Sequence, residues 1–320
     1  MKPIDAHVHI VGIGTGGTGC RMRTGGWRRP VEQLMFHHIG LSRSALREDF
    51  DRLYVERLLE LVRESSLGAA VILAMDNVYD ERGNAMDDKR FIYVPNSYVL
   101  ELAKRHAEFL PAVSIHPARA DAMDELERCL DGGAAMMKLL PNYQNVNCND
   151  ARYTKFWERM AEAGLPLLAH TGGEYTVPNT FPKYADPRTL ELPLQCGVRV
   201  IAAHSAAKSG LFDPDYLPVL VEMMSRFPQL YADNSAFNIP FRSKAFRDSL
   251  RSPLVERTVH GSDFPVLVYA HWVWMRGLID FKTFRRWQKH PNVLERDYQI
   301  KRAIGYPDEV FTRVAELLRK

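Results

Sequence analysis

Eight short apolar runs of β character recur along the chain: Ile4–Ile10, Ala69–Asp76, Phe109–His116, Ala134–Leu140, Pro166–Thr171, Val198–Ser205, Gln229–Ser235 and Thr258–Asp263. Amphipathic segments with apolar residues every third or fourth position lie between them, at Leu46–Ser66, Ser97–Ala107, Ala122–Leu130, Tyr153–Ala163 and Leu217–Phe227. A β-α-β order requires parallel strands joined by helical crossovers. Eight repeats therefore predict an α/β fold, a (β/α)8 barrel, with a helical extension after the eighth run. An open doubly wound sheet is the alternative, because periodicity alone does not close a barrel. No composition break or Pro/Ser linker divides the chain, so residues 1–320 read as one domain.

Composition narrows the class of partner. Hydrophobic residues make up 46% and charged residues 25% of the chain, as in a packed globular protein. The net charge of +3 is spread without long like-charge runs, which gives no reason to expect nucleic acid. A small-molecule substrate is the expected partner, and a homo-oligomer is left open. Cys20, Cys129, Cys148 and Cys196 form no CxxC pair and read as reduced thiols. Asp5, His7 and His9 interrupt any signal-like apolar start, and no long apolar stretch follows, so the expectation is a cytoplasmic protein without membrane contact.

The region from Val11 to about Ala45 is too long for an ordinary βα loop and is expected to form a mobile lid over the active face. Within it, Gly14-Thr15-Gly16-Gly17-Thr18-Gly19 fits G-x-G-x-x-G. A dinucleotide site would need a helix to open at once, whereas Trp27, Pro30 and scattered arginines follow. Arg21, Arg23, Arg28 and Arg29 could instead clamp a substrate carboxylate, or form a solvated basic loop.

Side chains on a strand alternate faces, so His7 and His9 project the same way. His170, His204 and Asp263 end the fifth, sixth and eighth runs, and Lys138 lies near the end of the fourth. A parallel barrel gathers its catalytic groups at the C-terminal ends of its strands. Imidazole and carboxylate together suit a divalent ion such as Zn²⁺. His116 and Asn234, at the ends of the third and seventh runs, and Glu174, four residues past His170, are candidate substrate contacts.

Taken in order, Asp5-Ala6-His7-Val8-His9, Met137-Lys138-Leu139-Leu140-Pro141, His170-Thr171-Gly172, Ala203-His204-Ser205 and Gly261-Ser262-Asp263-Phe264-Pro265 resemble the amidohydrolase superfamily, in its amidohydrolase-related family 2. The resemblance implies a TIM barrel enzyme with His7, His9, His170 and Asp263 as metal ligands. His204 would be a second-site ligand or a general base. Zinc is the expected metal, with Mn²⁺ an alternative. One ion is favoured, and two would require Lys138 to be carboxylated as a bridge. The expected reaction is metal-dependent hydrolysis of an amide, lactone or ester carbonyl in a small, carboxylate-bearing substrate, with Asp263, His204 and Lys138 as catalytic groups. Nonoxidative decarboxylation on the same site is the alternative, and a noncatalytic binding protein is a third reading.

Overall fold

The computed structural model describes residues 1–24, 29–42, 44 and 48–319. Eight parallel strands follow one another around a single sheet: β1 (Ile4–His9), β2 (Ala69–Leu73), β3 (Phe109–Val113), β4 (Met136–Leu139), β5 (Leu167–His170), β6 (Val200–Ala203), β7 (Leu230–Asp233) and β8 (Thr258–Val259). The chain just past β8 returns to β1. Ala6 N donates to His260 O at 2.9 Å, His9 N to Phe264 O at 2.8 Å and Asp263 N to His7 O at 2.9 Å. These bonds close the barrel, so the TIM-barrel expectation holds over the open sheet.

Each predicted run contains one strand, shorter than the run because its last residues leave the ladder. The helices between them fall where the apolar spacing placed them, among them Phe50–Arg63, Asn96–Arg105, Ala122–Asp131, Thr154–Glu162 and Leu217–Arg226. Phe50–Arg63 lays Tyr54, Leu58, Leu61 and Val62 against the sheet, each side chain contributing roughly 1.5–3 kcal/mol of burial. In the C-terminal extension, Asn292 caps helix Val293–Ile304 by accepting from Leu294 N and Glu295 N. Gly305, at φ 108°, ends that helix in a left-handed turn open to glycine.

Period-two alternation sorts the strand residues. Leu167 and Ala169, Val200 and Ala202, and Leu230 and Ala232 pack outward against helices. Val71, Leu73, Met136, Leu168, Ile201 and Ala203 fill the barrel interior. Val314 and Leu317 of the last helical turns pack against that interior cluster and seal the lower end. Strand β1 breaks the alternation. Asp5 pairs with Ala70 and Val8 with Ile72, so Ala6 and His7 together oppose one residue, a β-bulge of the kind that re-aims side chains beside active sites. No helix among the described residues is long and apolar enough to cross a membrane.

Candidate metal centre

The inward positions at the upper strand ends carry His7 and His9 (β1), Lys138 (β4), His170 (β5) and Asp233 (β7), with His204 and Asp263 one and four residues past β6 and β8. His7 Nε2 lies 3.2 Å from His9 Nε2. Asp263 Oδ1 lies 3.2 Å from His7 Nε2 and 3.3 Å from His9 Nε2. A second edge joins His204 Nε2 to His170 Nδ1 at 3.2 Å. Lys138 Nζ sits 3.1 Å from His7 Nε2, and His204 Nε2 is 4.0 Å from Asp263 Oδ2. The strand-end residues named from sequence are thus brought together.

The hydrogen bonds assign the imidazole tautomers. His7 Nδ1 donates to Asp233 Oδ2 at 2.7 Å, which leaves the Nε2 lone pair facing the site. Ser235 Oγ donates to Asp233 Oδ1 at 2.5 Å, so its lone pair receives His204 Nδ1–H at 2.8 Å and His204 Nε2 also faces inward as an acceptor. Asp233 was not singled out by the sequence reading. The signal was present, because Leu230 and Ala232 point outward and place Asp233 on the same inner face as Lys138 and His170.

Charge states suit metal binding. Burial, reinforced by Lys138, pushes His7 down to about 4. Burial holds His170 and His204 well below the usual imidazole value, so all three are neutral near pH 7, the state in which an imidazole can bind a metal. Burial also pushes Lys138 down to about 8. Burial alone would raise Asp263, but the neighbouring His7, His204 and His9 hold it well below the usual carboxylate range. The backbone is strained where these groups meet: His204, Ser205 and Asp263 have φ of 59°, 50° and 65°, a cost that persists when the surroundings enforce it.

The donor set fits a divalent ion. Ligands about 2.0–2.1 Å from a tetrahedral centre stand ~3.3 Å apart, and the His7–His9–Asp263 triangle has edges of 3.2, 3.2 and 3.3 Å. Three donors converging this closely could hold such an ion.

The comparisons agree with this geometry. The family described as Amidohydrolase matches residues 4–306. The chain belongs to the amidohydrolase family. It thereby falls among the enzymes of the amidohydrolase superfamily, whose members generally bind divalent metals, and its His/Asp groups could hold one. An uncharacterised TIM-barrel protein from Bordetella bronchiseptica is 18% identical with a TM-score of 0.60, over 95% of this chain and 100% of that one. IDCase from Metarhizium anisopliae is 11% identical with a TM-score of 0.51, over 99% and 97% of the two chains. At these identities the likeness is one of fold. A stretch of 175 residues is 26% identical to catalase-peroxidase from Pseudomonas entomophila (strain L48), which is 52% of this chain and 21% of that one. This amidohydrolase thus spans about a fifth of the length of that curated relative.

Other predicted site residues lie elsewhere. His116 is buried, its Nε2 bonded to Gln144 O at 2.9 Å and its Nδ1 accepting from Ala118 N at 3.1 Å. Asn234 Oδ1 accepts from Gly261 N at 3.2 Å beneath the site. Arg21 and Arg23 border a surface groove with Asp87, Arg90 and Phe91 that shares Met22 and Phe91 with the cavity over the site. Arg28 and the Arg29 side chain lie outside the described residues. Glu174 does reach the site, with Oε2 3.5 Å from His170 Nδ1. The glycine-rich loop cradles an anion of its own chain: Asp51 accepts from Ile13 N at 2.7 Å, Gly14 N at 3.1 Å and Thr15 Oγ1 at 3.0 Å, and from Thr18 Oγ1. The carboxylate takes the place a phosphate has in a nucleotide loop.

Proposed function

We propose that this amidohydrolase is a metal-dependent hydrolase that opens an amide, lactone or ester carbonyl. The observation that carries the reading is the His7–His9–Asp263 triangle, whose edges match a single tetrahedral ion. His7, His9 and Asp263 would hold that ion with His170 nearby, and zinc is the proposed metal. When bound, the ion supplies Lewis-acid polarisation and lowers the pKa of water to about 7.

The chain's own groups move the proton. Asp263 is ionised at the start, held so by His7, His204 and His9, and it accepts the proton of the attacking water as the new C–O bond forms. The same carboxyl then returns that proton to the departing nitrogen or oxygen as the C–N or C–O bond breaks. His204 Nε2, 4.0 Å from Asp263 Oδ2, presents a lone pair that can share the proton in transit. Lys138, buried against His7, orients that ring and offers a positive charge to a developing oxyanion.

A second reading has two ions bridged by carboxylated Lys138, and one observation favours it. The His170–His204 edge repeats the 3.2 Å spacing of the triangle, with Glu174 close to His170.

The test of the hydrolytic reading is turnover by metal-loaded and chelated protein on a panel of neutral esters, lactones and amides. Metal-dependent release of acid from at least one of them supports the proposal. Metal-dependent release of CO₂ from a parallel panel of small carboxylic acids, with no ester, lactone or amide hydrolysed, would overturn it in favour of decarboxylation.

A further inference from the structure

Above the metal-binding triangle the barrel mouth opens into a cavity of about 120 Å³. Its floor is His9, His170, His204 and Asp263. Its wall is apolar, built by Met22, Met35, Phe36, Phe91, Ile92 and Leu140. Met22 and Ile92 face each other across a two-residue antiparallel pair, Arg21–Met22 with Ile92–Tyr93, while Met35 and Phe36 come from the helix Arg29–His38 that overhangs the mouth.

Acidic side chains border this cavity. Apart from Asp263 among the candidate ligands, the charged side chains lining it among the described residues are Glu32 and Glu174. No lysine or arginine among the described residues joins them. Arg242 is buried close by, but it donates to the Gly173 carbonyl at 2.7 Å and does not line the wall. A carboxylate at the end of a limb laid along this apolar wall would lose its hydration there. An alkyl or aryl group gains instead, by about three- to fourfold in binding per buried methylene.

We propose that this cavity binds an uncharged, apolar limb of the substrate, a medium-length alkyl chain or an aryl group, attached to the carbonyl carbon or to its leaving group. Met22, Met35, Phe36 and Phe91 set the specificity, and the unbranched, polarisable methionines let limbs of different outline fit. The proposal rests on the hydrolytic reading and supplies its substrate class. It takes the place of the expectation of a carboxylate held by Arg21 and Arg23, which border an adjoining groove that shares Met22 and Phe91 with the cavity.

Two ester series on zinc-loaded protein test it: p-nitrophenyl acyl esters from acetyl to octanoyl, and acetates of alcohols from ethyl to octyl. A p-nitrophenyl monoester of glutarate serves as the charged counterpart of the pentanoyl ester. kcat/KM is expected to rise about three- to fourfold per methylene in one of the series, which identifies the side carrying the limb. The glutarate ester should fall at least about tenfold below its neutral counterpart. Val31 lies on the cavity rim and is 51% exposed, so Val31→Arg keeps the fold and should raise the glutarate ester relative to the neutral one.

A binding measurement separates the two proposals. Titration calorimetry of N-alkylacetamides against metal-free protein should show affinity growing by the same factor per methylene, and Met35→Ala should weaken it. Metal-dependent hydrolysis with no chain-length dependence in rate or binding would overturn the apolar site and leave the hydrolytic reading standing. Length-dependent binding without hydrolysis of any ester would do the reverse. A preference for the glutarate ester in the unmodified protein would also overturn the apolar site.

Discussion

Asp233 Oδ2 accepts the Nδ1 hydrogen of His7 at 2.7 Å, while its other oxygen takes the hydroxyl hydrogen of Ser235, which in turn receives His204 Nδ1–H. One carboxylate thereby fixes the tautomers of two neighbouring imidazoles, whose ring centroids stand 5.2 Å apart. Asp233 also accepts from the His204 backbone N at 2.6 Å, so the same group holds the strained turn after β6.

Asp233→Asn is expected to weaken metal binding by about 10–100-fold, the usual cost of losing a carboxylate behind a ligating histidine. Competition against a chromogenic chelator measures it. Affinity equal to the unmodified protein would show that the His7 orientation does not depend on Asp233.

Asp263→Asn and His7→Ala should separate two jobs. The alanine removes a ligand and should empty the site. The asparagine keeps an oxygen near His9 but cannot take a proton, so turnover should fall by about 10²–10⁴ while much of the metal is retained. Elemental analysis beside steady-state rates distinguishes them, and equal metal loss in both variants would remove the proton-transfer role from Asp263.

The ion count is decided at Lys138 and His204. With one ion, Lys138→Ala and His204→Asn retain about one metal per chain and slow turnover by about 10²–10⁴. Two ions in the unmodified protein and fewer in both variants would establish the bridged arrangement instead.

Acid should unfold the metal-free protein. Burial pushes His7, His38 and His116 each down to about 4 from 6.5. Between those pH values the unfolded chain binds protons that the folded chain refuses, so stability is present above pH 6.5 and lost as pH falls toward 4. Each such group contributes a slope of ~1.4 kcal/mol per pH unit. Asp5, pushed up to about 7 by burial, acts in the opposite sense and offsets one of the three. Urea midpoints measured from pH 7 down to pH 4 should fall steadily; a flat or rising profile contradicts the buried neutral imidazoles.

Arg21→Ala and Arg23→Ala should change KM by less than about twofold, because neither residue reaches the cavity above the metal centre. A tenfold rise at either position would restore the arginine clamp.

The sequence carried the barrel because eight apolar runs and their helices repeat, and it carried the convergence of the candidate ligands because His170 ends its strand and His204 and Asp263 follow theirs closely. It misplaced His116 for a physical reason. Strand β3 stops at Val113, and the following residues turn the ring toward Gln144 O rather than the cavity. The bulge at Ala6 and His7 was invisible, since it depends on the register against β2. The pairing of Met22 with Ile92 was equally hidden, because nothing in either two-residue segment marks the other as its partner.

Val314 and Leu317 stopper the lower end of the barrel, and this shapes traffic through the molecule. Substrate, water and both reaction products share the upper mouth as their passage, so the retained product stands in the path of the next substrate. An acid product with a long apolar tail should then inhibit competitively, more strongly than its short-chain analogue, and its departure becomes the step that paces the cycle as the tail lengthens.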